Sequence, residues 1–278
     1  METVETTEKK LVGKTEEEKK VKETEEEKEG TKVKALLDEL TMEKFDSISD
    51  QIIEWANKSE AEENCRTLAH ATRVVFEKAI DEATRSELYA RLCRKMVDSI
   101  SPNIQDGSRD ADERLITGGQ LFRKYLLSHC QENFERGWAA EDAAEASGGA
   151  ELHSNECDAA REARRHGPGL VQFIGELYEM QMLREPIVHE CIKKLLGNVD
   201  NPEEEEIESL CRLLTIAGKL LDHPKAHVDM DIYFARIGEL GKRSDITPRA
   251  RSILLVSSMV CVRQRLSHTF CSGSYRAT

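Results

Sequence analysis

The feature that most restricts the fold of this chain is a helical spacing of apolar residues through residues 170–222. In the first of three segments Phe173, Ile174 and Leu177 recur at steps of three and four, which places them on one stripe of a helix. The later segments repeat this spacing at Ile187, Val188, Cys191, Ile192, Leu195 and Leu196, and at Ile207, Leu210, Cys211, Leu214, Ala217 and Leu221. A single helix cannot bury its own stripe, so the three helices are expected to pack together.

The same pattern extends over most of the chain. Further helices are predicted at about residues 33–40, 42–57, 63–81, 85–100, 114–136, 225–241 and 248–266. Alternate helices lie roughly 40 residues apart, and a period of about 40–47 with two helices per unit is typical of HEAT and armadillo arrays. We therefore predict an all-α fold, a HEAT-type α-α superhelix of about five antiparallel helix pairs. A plain helical bundle is the alternative.

Composition suggests three regions. Residues 1–31 are rich in Glu, Lys and Thr with few apolar side chains, so a disordered N-terminal segment is predicted. Residues 32–243 form the predicted repeat domain, with a mobile insertion at about 137–159, and residues 244–278 form a C-terminal segment that is partly helical or disordered. Within the domain a polar loop is expected between residue 101 and about residue 113, and Gly167–Gly169 is interpreted as a hinge that opens the next helix.

Charge and cysteine content narrow the class of protein. The formal net charge of −13 argues against general coating of nucleic acids, although local basic patches remain able to bind RNA. The eight cysteines include no CxxC pair, and Cys93, Cys191 and Cys211 lie on apolar stripes, which is typical of buried thiols in a reducing compartment. No signal-peptide pattern and no membrane-spanning apolar run is visible, so a cytoplasmic protein without membrane attachment is expected.

Signals for catalysis are poor. His189, Glu190 and Cys191 are not followed by the second helical histidine of a metalloprotease motif. The acidic run 203–206 is explained by the dipole at the start of a helix at least as well as by a metal cluster. The sequence therefore predicts no catalytic residue, no metal site and no cofactor.

Paired basic residues beside the stripes are the candidate RNA contacts. If alternate helices align, the pairs would form a positive ridge that contacts phosphates, and solvated side chains with no such role are the alternative. The candidates are Arg94 and Lys95, Arg164 and Arg165, and Lys193 and Lys194, with Arg123 and Lys124 as a further pair.

Longer stretches carry a family resemblance. The segments LTMEKFDSISDQIIEWANKS, LYARLCRKM, GQLFRKYLLSHCQENFERGW, GLVQFIGELYEMQML, VHECIKKLLGN and ESLCRLLTIAGKLLD occur in that order. Together they closely resemble the middle domain of eukaryotic translation initiation factor 4G, nearest to its fungal members, over about residues 33–241. The resemblance departs at both ends: residues 1–31 contain no Trp, and similarity is lost after Thr247-Pro248-Arg249.

The resemblance implies a monomeric, non-catalytic scaffold in translation initiation. Such a scaffold binds the DEAD-box RNA helicase initiation factor 4A and favours its closed, active state, contacts mRNA, and in some members binds initiation factor 3. The alternatives are a related adaptor in RNA processing or decay, and an RNA-binding module without a helicase partner. Several of the helicase-binding positions that the resemblance implies also lie on apolar stripes, where a purely structural role is equally expected. The structural alternative applies to Leu37, Leu40, Phe45 and Leu177. The full set of implied helicase-binding positions is Leu37, Leu40, Phe45, Phe122, Arg123, Phe173, Glu176 and Leu177.

Overall fold

The computed structural model describes residues 30–62, 64–146, 154–197 and 203–257, and for 138–146 and 154–164 it describes the backbone. Ten α-helices lie in these residues. They are α1 (30–39), α2 (Phe45–Asn57), α3 (Arg66–Asp81), α4 (Ser86–Ser99), α5 (Gly118–Ala146), α6 (Ser154–Glu179), α7 (Glu185–Leu195), α8 (Glu204–Leu221), α9 (His227–Leu240) and α10 (248–257). The prediction of an all-α protein is confirmed.

The chain divides into two compact units. Unit 1 contains Met1–Phe76 and Lys95–Tyr125, and unit 2 contains Glu77–Arg94 and Leu126–Thr278. The predicted N-terminal segment 1–31 lies outside the described residues except for its last two, which begin α1.

The core of unit 1 is apolar and is formed by the predicted stripes. Helix α2 shows why: Ile48, Ile52 and Ile53 follow each other at helical spacing and are all buried, while the opposite face is polar. The fully buried side chains of this unit include Leu37, Leu40, Ile52, Leu68, Met96, Ile104, Leu121 and Phe122.

The prediction of a loop without regular structure after α4 is wrong. This segment contains an antiparallel hairpin of β1 (Gln105–Arg109) and β2 (Leu115–Thr117). The turn is closed by the Asp110 carboxylate, whose Oδ1 accepts hydrogen bonds from the backbone N–H groups of Asp112 and Arg114, both at 2.9 Å. Because the strand residues of β1 are polar on both faces, apolar alternation could not reveal them. The hairpin also delays the start of α5 from the predicted residue 114 to Gly118.

Unit 2 is built on the three helices whose stripes were the main sequence signal. Helices α6, α7 and α8 pack against one another, as the spacing of their apolar residues predicted. Their buried side chains include Phe173, Ile174, Leu177, Val188, Cys191, Ile192, Leu210, Cys211, Leu213 and Leu214. The free thiols of Cys93, Cys191 and Cys211 are buried, as expected. Among the helices in the described part of the chain, none has the length and apolar content to cross a bilayer.

The expected hinge at Gly167–Gly169 is also wrong, because Pro168 lies inside α6. The residue that precedes a proline normally avoids the helical conformation, because the proline ring clashes with that residue's backbone N–H and Cβ. Gly167 precedes Pro168 and has no Cβ, so part of this clash is absent. Tertiary packing then holds the helix in place. A Cβ on Gly169 would lie 2.0 Å from the carbonyl oxygen of Ile80, so the two backbones are in close contact, and His166 Nε2 lies 3.0 Å from Asp81 Oδ1.

Two predicted boundaries fall inside helices. Helix α5 extends to Ala146 and α6 begins at Ser154, so both run into the segment 137–159 that was predicted as an insertion, and residues 147–153 lie outside the described residues. In the predicted C-terminal segment, α10 buries Ala250 and Leu254, whereas residues 258–278 lie outside the described residues.

Replacing Gly169 by Ala is expected to destabilise unit 2 by about 2 kcal/mol or more, because the new methyl overlaps the Ile80 backbone and neither helix can yield cheaply. The matched control is Gly238→Ala in α9, where no described atom outside the adjacent backbone of its own helix lies within 4 Å of the added Cβ. That change is expected to be neutral or to stabilise by up to about 1 kcal/mol. Urea unfolding followed by circular dichroism measures both variants. Equal effects of the two substitutions would contradict the close contact.

Candidate functional site

Most of the residues implied in helicase binding lie in the core. Leu37, Leu40, Phe122, Phe173 and Leu177 are each 0% exposed. A side chain with no exposed surface cannot touch a partner, so these five residues hold the helices that carry the surface.

Phe45 and Arg123 are half-buried and belong to unit 1. Phe45 begins α2, and the Lys95 ammonium lies 5.7 Å from the centroid of its ring. The nitrogen of Lys95 also lies 2.7 Å from Asp50 Oδ1 and 3.1 Å from Asp46 Oδ1, and these hydrogen bonds, first of all the one to Asp50, raise its pKa. We call Phe45, Asp46, Asp50 and Lys95 the α2–α4 cluster.

In the α2–α4 cluster Lys95 pairs with two carboxylates of the same chain, which makes it a poor candidate for the predicted contact with an RNA phosphate. Two carboxylates already neutralise its charge, and both are more exposed than the ammonium: the Asp46 and Asp50 side chains are 90% and 67% exposed, the Lys95 side chain 25%. This surface therefore presents an aromatic ring beside carboxylates, which suits a basic protein partner better than a phosphate.

The other predicted RNA contacts lie on three helices of unit 2, α4, α6 and α7. Arg94 is exposed on α4, and Arg165 is 75% exposed with its guanidinium 3.8 Å from Asp81 Oδ1. The side chain of Arg164 lies outside the described residues. Lys193 and Lys194 are exposed in the last turn of α7, where the helix dipole favours cations.

Glu176 lies in a groove of unit 2 between three helices. The groove has a volume of about 570 Å³, within the range of ligand clefts. Helices α6, α8 and α10 contribute its lining: Gln172, Glu176, Cys211, Arg212, Thr215, Ile216, Ser252, Ile253, Val256 and Ser257. We call this cleft the α6–α8–α10 groove.

The hydroxyl groups of this groove are oriented by local hydrogen bonds. Thr215 Oγ1 donates to the carbonyl oxygen of Cys211 at 2.7 Å, and Ser252 Oγ donates to the carbonyl oxygen of Pro248 at 2.9 Å. Because each proton is used within its own helix, the hydroxyl oxygens are left as hydrogen-bond acceptors. On the rim, Arg212 Nη1 donates to Gln172 Oε1 at 3.2 Å.

Glu176 is unusual for an acid because the residue is 7% exposed while its carboxylate receives no hydrogen bond from any residue in the described part of the chain. Its oxygens are not fully buried, so they remain accessible from the groove. Burial raises its pKa to about 7, and the nearby carboxylates of Glu179 and Glu87 add to this shift. An acid that is half-ionised near neutral pH in a cleft is a candidate functional group on physical grounds.

A second cluster of polar side chains serves packing. The Glu185 carboxylate lies 2.9 Å from His223 Nε2 and 3.2 Å from His189 Nε2, and hydrogen bonds first from His223 and then from His189 lower its pKa. The other ring nitrogen of His189 lies 2.9 Å from the Tyr233 hydroxyl. Both nitrogens of His189 are thus engaged. Among the described residues no group of three or more His, Cys, Asp or Glu could hold a metal ion.

Sequence reasoning missed the groove itself. Its lining residues Thr215, Ser252 and Ser257 belong to helices far apart in the chain, and no short motif links them. One signal was visible: Glu176 interrupts a buried face, since Phe173 and Leu177 on either side of it both belong to the apolar stripe.

Glu176 is expected to make stability depend on pH. Its pKa is about 7 in the folded chain and 4.5 when solvated, so the folded state holds this proton more tightly and the contribution to stability is lost as the pH rises from about 4.5 through 7. Glu176→Gln removes the charge at this position. The free energy of unfolding of this variant, relative to that of the unsubstituted chain, should be higher at pH 8 than at pH 4.5 by roughly 1–3 kcal/mol.

Chemical unfolding at the two pH values measures this difference, and Glu190→Gln, which alters an exposed acid on α7, is the control. The control is expected to remain within about 0.5 kcal/mol of the unsubstituted chain at both pH values. A Glu176→Gln effect that is the same at pH 4.5 and pH 8 would show that the carboxyl group is not desolvated.

Comparisons with known proteins match the chain to one family and to individual relatives. The model of the MIF4G domain family matches residues 31–263. Eukaryotic translation initiation factor 4 gamma of Schizosaccharomyces pombe is 50% identical over 226 residues, 81% of this chain. The eukaryotic initiation factor 4F subunit p130 of Saccharomyces cerevisiae is 40% identical over 228 residues, 80% of this chain. The chain spans 16% and 24% of the length of these two relatives.

A solved structure shares the fold. The MIF4G domain of Trypanosoma cruzi translation initiation factor EIF4G5 aligns with a TM-score of 0.51 at 16% identity, covering 85% of this chain and 96% of that one. At this identity the likeness concerns the fold alone, and with the ten described helices it confirms the predicted HEAT-type all-α class. The match to the family model extends to residue 263, beyond residue 249, where the resemblance in the sequence was taken to end.

Proposed function

Because the chain belongs to the MIF4G domain family, we propose that it acts as a non-catalytic scaffold in translation initiation. The observation that carries this proposal is the 50% identity to a translation initiation factor 4 gamma along most of the chain. A second relative is named as a subunit of initiation factor 4F, which makes assembly with other proteins the expected mode of action. The cytoplasm is the proposed location, and a monomer the proposed state of the chain alone.

The proposed partner is the DEAD-box RNA helicase initiation factor 4A. A scaffold changes the activity of a two-lobed enzyme only if it binds one conformation more tightly than the other, since equal affinity for both shifts nothing. A tenfold preference for the closed helicase corresponds to about 1.4 kcal/mol, which is within the range of a few well-placed surface contacts. No chemistry on the scaffold itself is needed.

Burial separates two roles among the implied helicase-binding residues. Leu37, Leu40 and Phe122 have no exposed surface, so replacing them would perturb the fold of unit 1 before it perturbs a contact. Phe45 and Arg123 keep part of their surface accessible. We assign the direct contact in unit 1 to these two residues, and the α2–α4 cluster adds exposed carboxylates for a basic surface of the partner.

The double change Phe45→Ala with Arg123→Glu should weaken helicase binding by about tenfold or more, since it removes an aromatic anchor and reverses a charge. The measurement is a pull-down of purified initiation factor 4A, followed by its RNA-stimulated ATPase rate with and without this chain. The stimulation of that rate should fall in parallel with binding.

The matched control is Val228→Ala with Lys219→Glu, which makes the same kinds of change at exposed positions of unit 2. It should bind the helicase like the unsubstituted chain. No capture and no stimulation by the unsubstituted chain would reject the scaffold proposal. Preferential capture of a different DEAD-box helicase in competition would favour the related adaptor in RNA processing or decay, and capture of initiation factor 3 tests the remaining implied partner.

Direct RNA contact is the second part of the proposal, and the exposure of Lys193 and Lys194 at the end of α7 favours it. If both ammonium groups contact phosphates, Lys193→Glu with Lys194→Glu should reduce the slope of log affinity against log salt by about 1.4, the value for two contacts on a single strand. Fluorescence anisotropy with single-stranded RNA measures the slope.

The control for RNA binding is Lys219→Glu with Lys225→Glu, two exposed lysines of the same unit. An unchanged slope in the first variant, or an equal reduction in both, would remove Lys193 and Lys194 from the RNA contact. RNA binding without any helicase binding would instead favour the module that binds RNA alone.

A further inference from the structure

The α6–α8–α10 groove contains an acid that nothing in the described part of the chain compensates. Glu176 is 7% exposed as a residue, and no described residue donates a hydrogen bond to its carboxylate or pairs with it, although its oxygens are not among the fully buried polar atoms. A buried polar group without a partner destabilises the fold, and a buried charge does so more strongly. The position of this carboxylate at the groove suggests that its partner comes from another molecule.

The rest of the lining indicates what that partner contains. Thr215 and Ser252 donate their hydroxyl protons to carbonyl oxygens of their own helices, so their oxygens face a ligand as acceptors. Together with the carboxylate they favour a group with several N–H donors. Ile216, Ile253 and Val256 form apolar walls, which suit the methylene stem that carries such a group.

We propose that the α6–α8–α10 groove binds a short segment of a partner protein that inserts one arginine or lysine side chain towards Glu176, with apolar residues flanking it. The inserted cation forms an ion pair with the carboxylate at the base of an open groove whose rim residues, such as Thr215 and Ser252, are exposed. Because the family resemblance also implies Glu176 in helicase binding, the inference rests on the proposed scaffold function and adds to it the chemistry that this one position would recognise.

The size of the groove and its surroundings support a segment over a free cation. A volume of about 570 Å³ exceeds that of one side chain and has room for flanking residues. On α10 the side chains of Leu255 and Val256 are 56% and 61% exposed, so flanking apolar residues find a surface to cover. An anionic segment is disfavoured, because Glu176, Glu179 and Glu87 outnumber the single Arg212 on the rim.

The charged groups around Glu176 determine how binding responds to pH. Glu179 on its own helix and Glu87 on α4 raise its pKa further after burial, while Arg212 of α8 is held by Gln172. On α10 the guanidinium of Arg249 pairs with Glu208, and that of Arg251 donates to backbone carbonyls. Since the inserted cation needs the ionised carboxylate, binding should tighten as the pH rises through about 7.

The test uses the full chain and three pools of fluorescein-labelled octapeptides. Each pool has randomised apolar residues around a fixed arginine, lysine or citrulline, the last being the neutral isostere of arginine. At pH 8 the arginine and lysine pools are expected to bind at least about tenfold more tightly than the citrulline pool. From pH 8 to pH 6 the affinity for the arginine pool should fall by roughly tenfold, following the ionised fraction of Glu176.

Three variants locate the effect. Glu176→Gln should bind all three pools equally, and Ser252→Trp, which fills the groove from the exposed face of α10, should lower binding of every pool. Glu190→Gln, an exposed acid on α7, should keep the full preference for the basic pools. Thermal melting by circular dichroism confirms that each variant is folded.

The proposal is overturned if the unsubstituted chain binds the citrulline pool as well as the basic pools. It is equally overturned if Glu176→Gln or Ser252→Trp, shown to be folded, retains the preference for arginine and lysine. Because no helicase is present in this assay, a negative result here leaves the helicase measurement untouched, and a failure of that measurement leaves this one untouched.

Discussion

The close packing of α6 against α8 is the constraint on which unit 2 depends. A Cβ on Gly175 would lie 3.1 Å from Leu213 Cδ1, so the absence of a side chain at that position brings the two helices together. The next residue, Glu176, is thereby placed against α8, beside Arg212 and Thr215. The same contact that completes the apolar core therefore holds a mostly buried acid at the edge of that core, where it lines the groove. The stripe and the groove are two consequences of one helix interface.

How much the sequence could predict follows from the range of each interaction. The stripe residues Phe173 and Leu177 are recognised from their spacing alone, because helical periodicity is local. The hinge predicted at Gly167–Gly169 was wrong, because the local preference of proline for a helix end was overridden by a tertiary contact. Gly169 packs against Ile80, about ninety positions earlier in the chain. The β1–β2 hairpin was missed since it is stabilised by the Asp110 turn and polar residues, which leave no apolar pattern.

The site was less predictable than the fold for a related reason. Family resemblance marks positions without saying whether the side chain packs or binds, and Leu37 and Phe122 prove to have no accessible surface. Lys95 looked like one half of a basic pair, yet its charge is neutralised by Asp46 and Asp50, which lie some forty-five positions away in sequence. Whether a side chain is buried or accessible, and whether a basic side chain is paired or free, depends on residues distant in sequence. The spacing of residues therefore cannot reveal either property. Burial and ion pairing become visible when the helices are assembled.

Glu176 shows what the proposed scaffold role would require of a single side chain. A leucine at this position would extend the apolar stripe and avoid the free-energy cost of desolvating an acid. Where a chain keeps a residue that breaks its own folding pattern without compensation nearby, the position is expected to serve a contact outside the fold. For a scaffold this contact is a partner's side chain. An acid that is already mostly covered in the free chain has less water to lose on binding than an exposed one, so less of its attraction to a partner's cation is offset by desolvation.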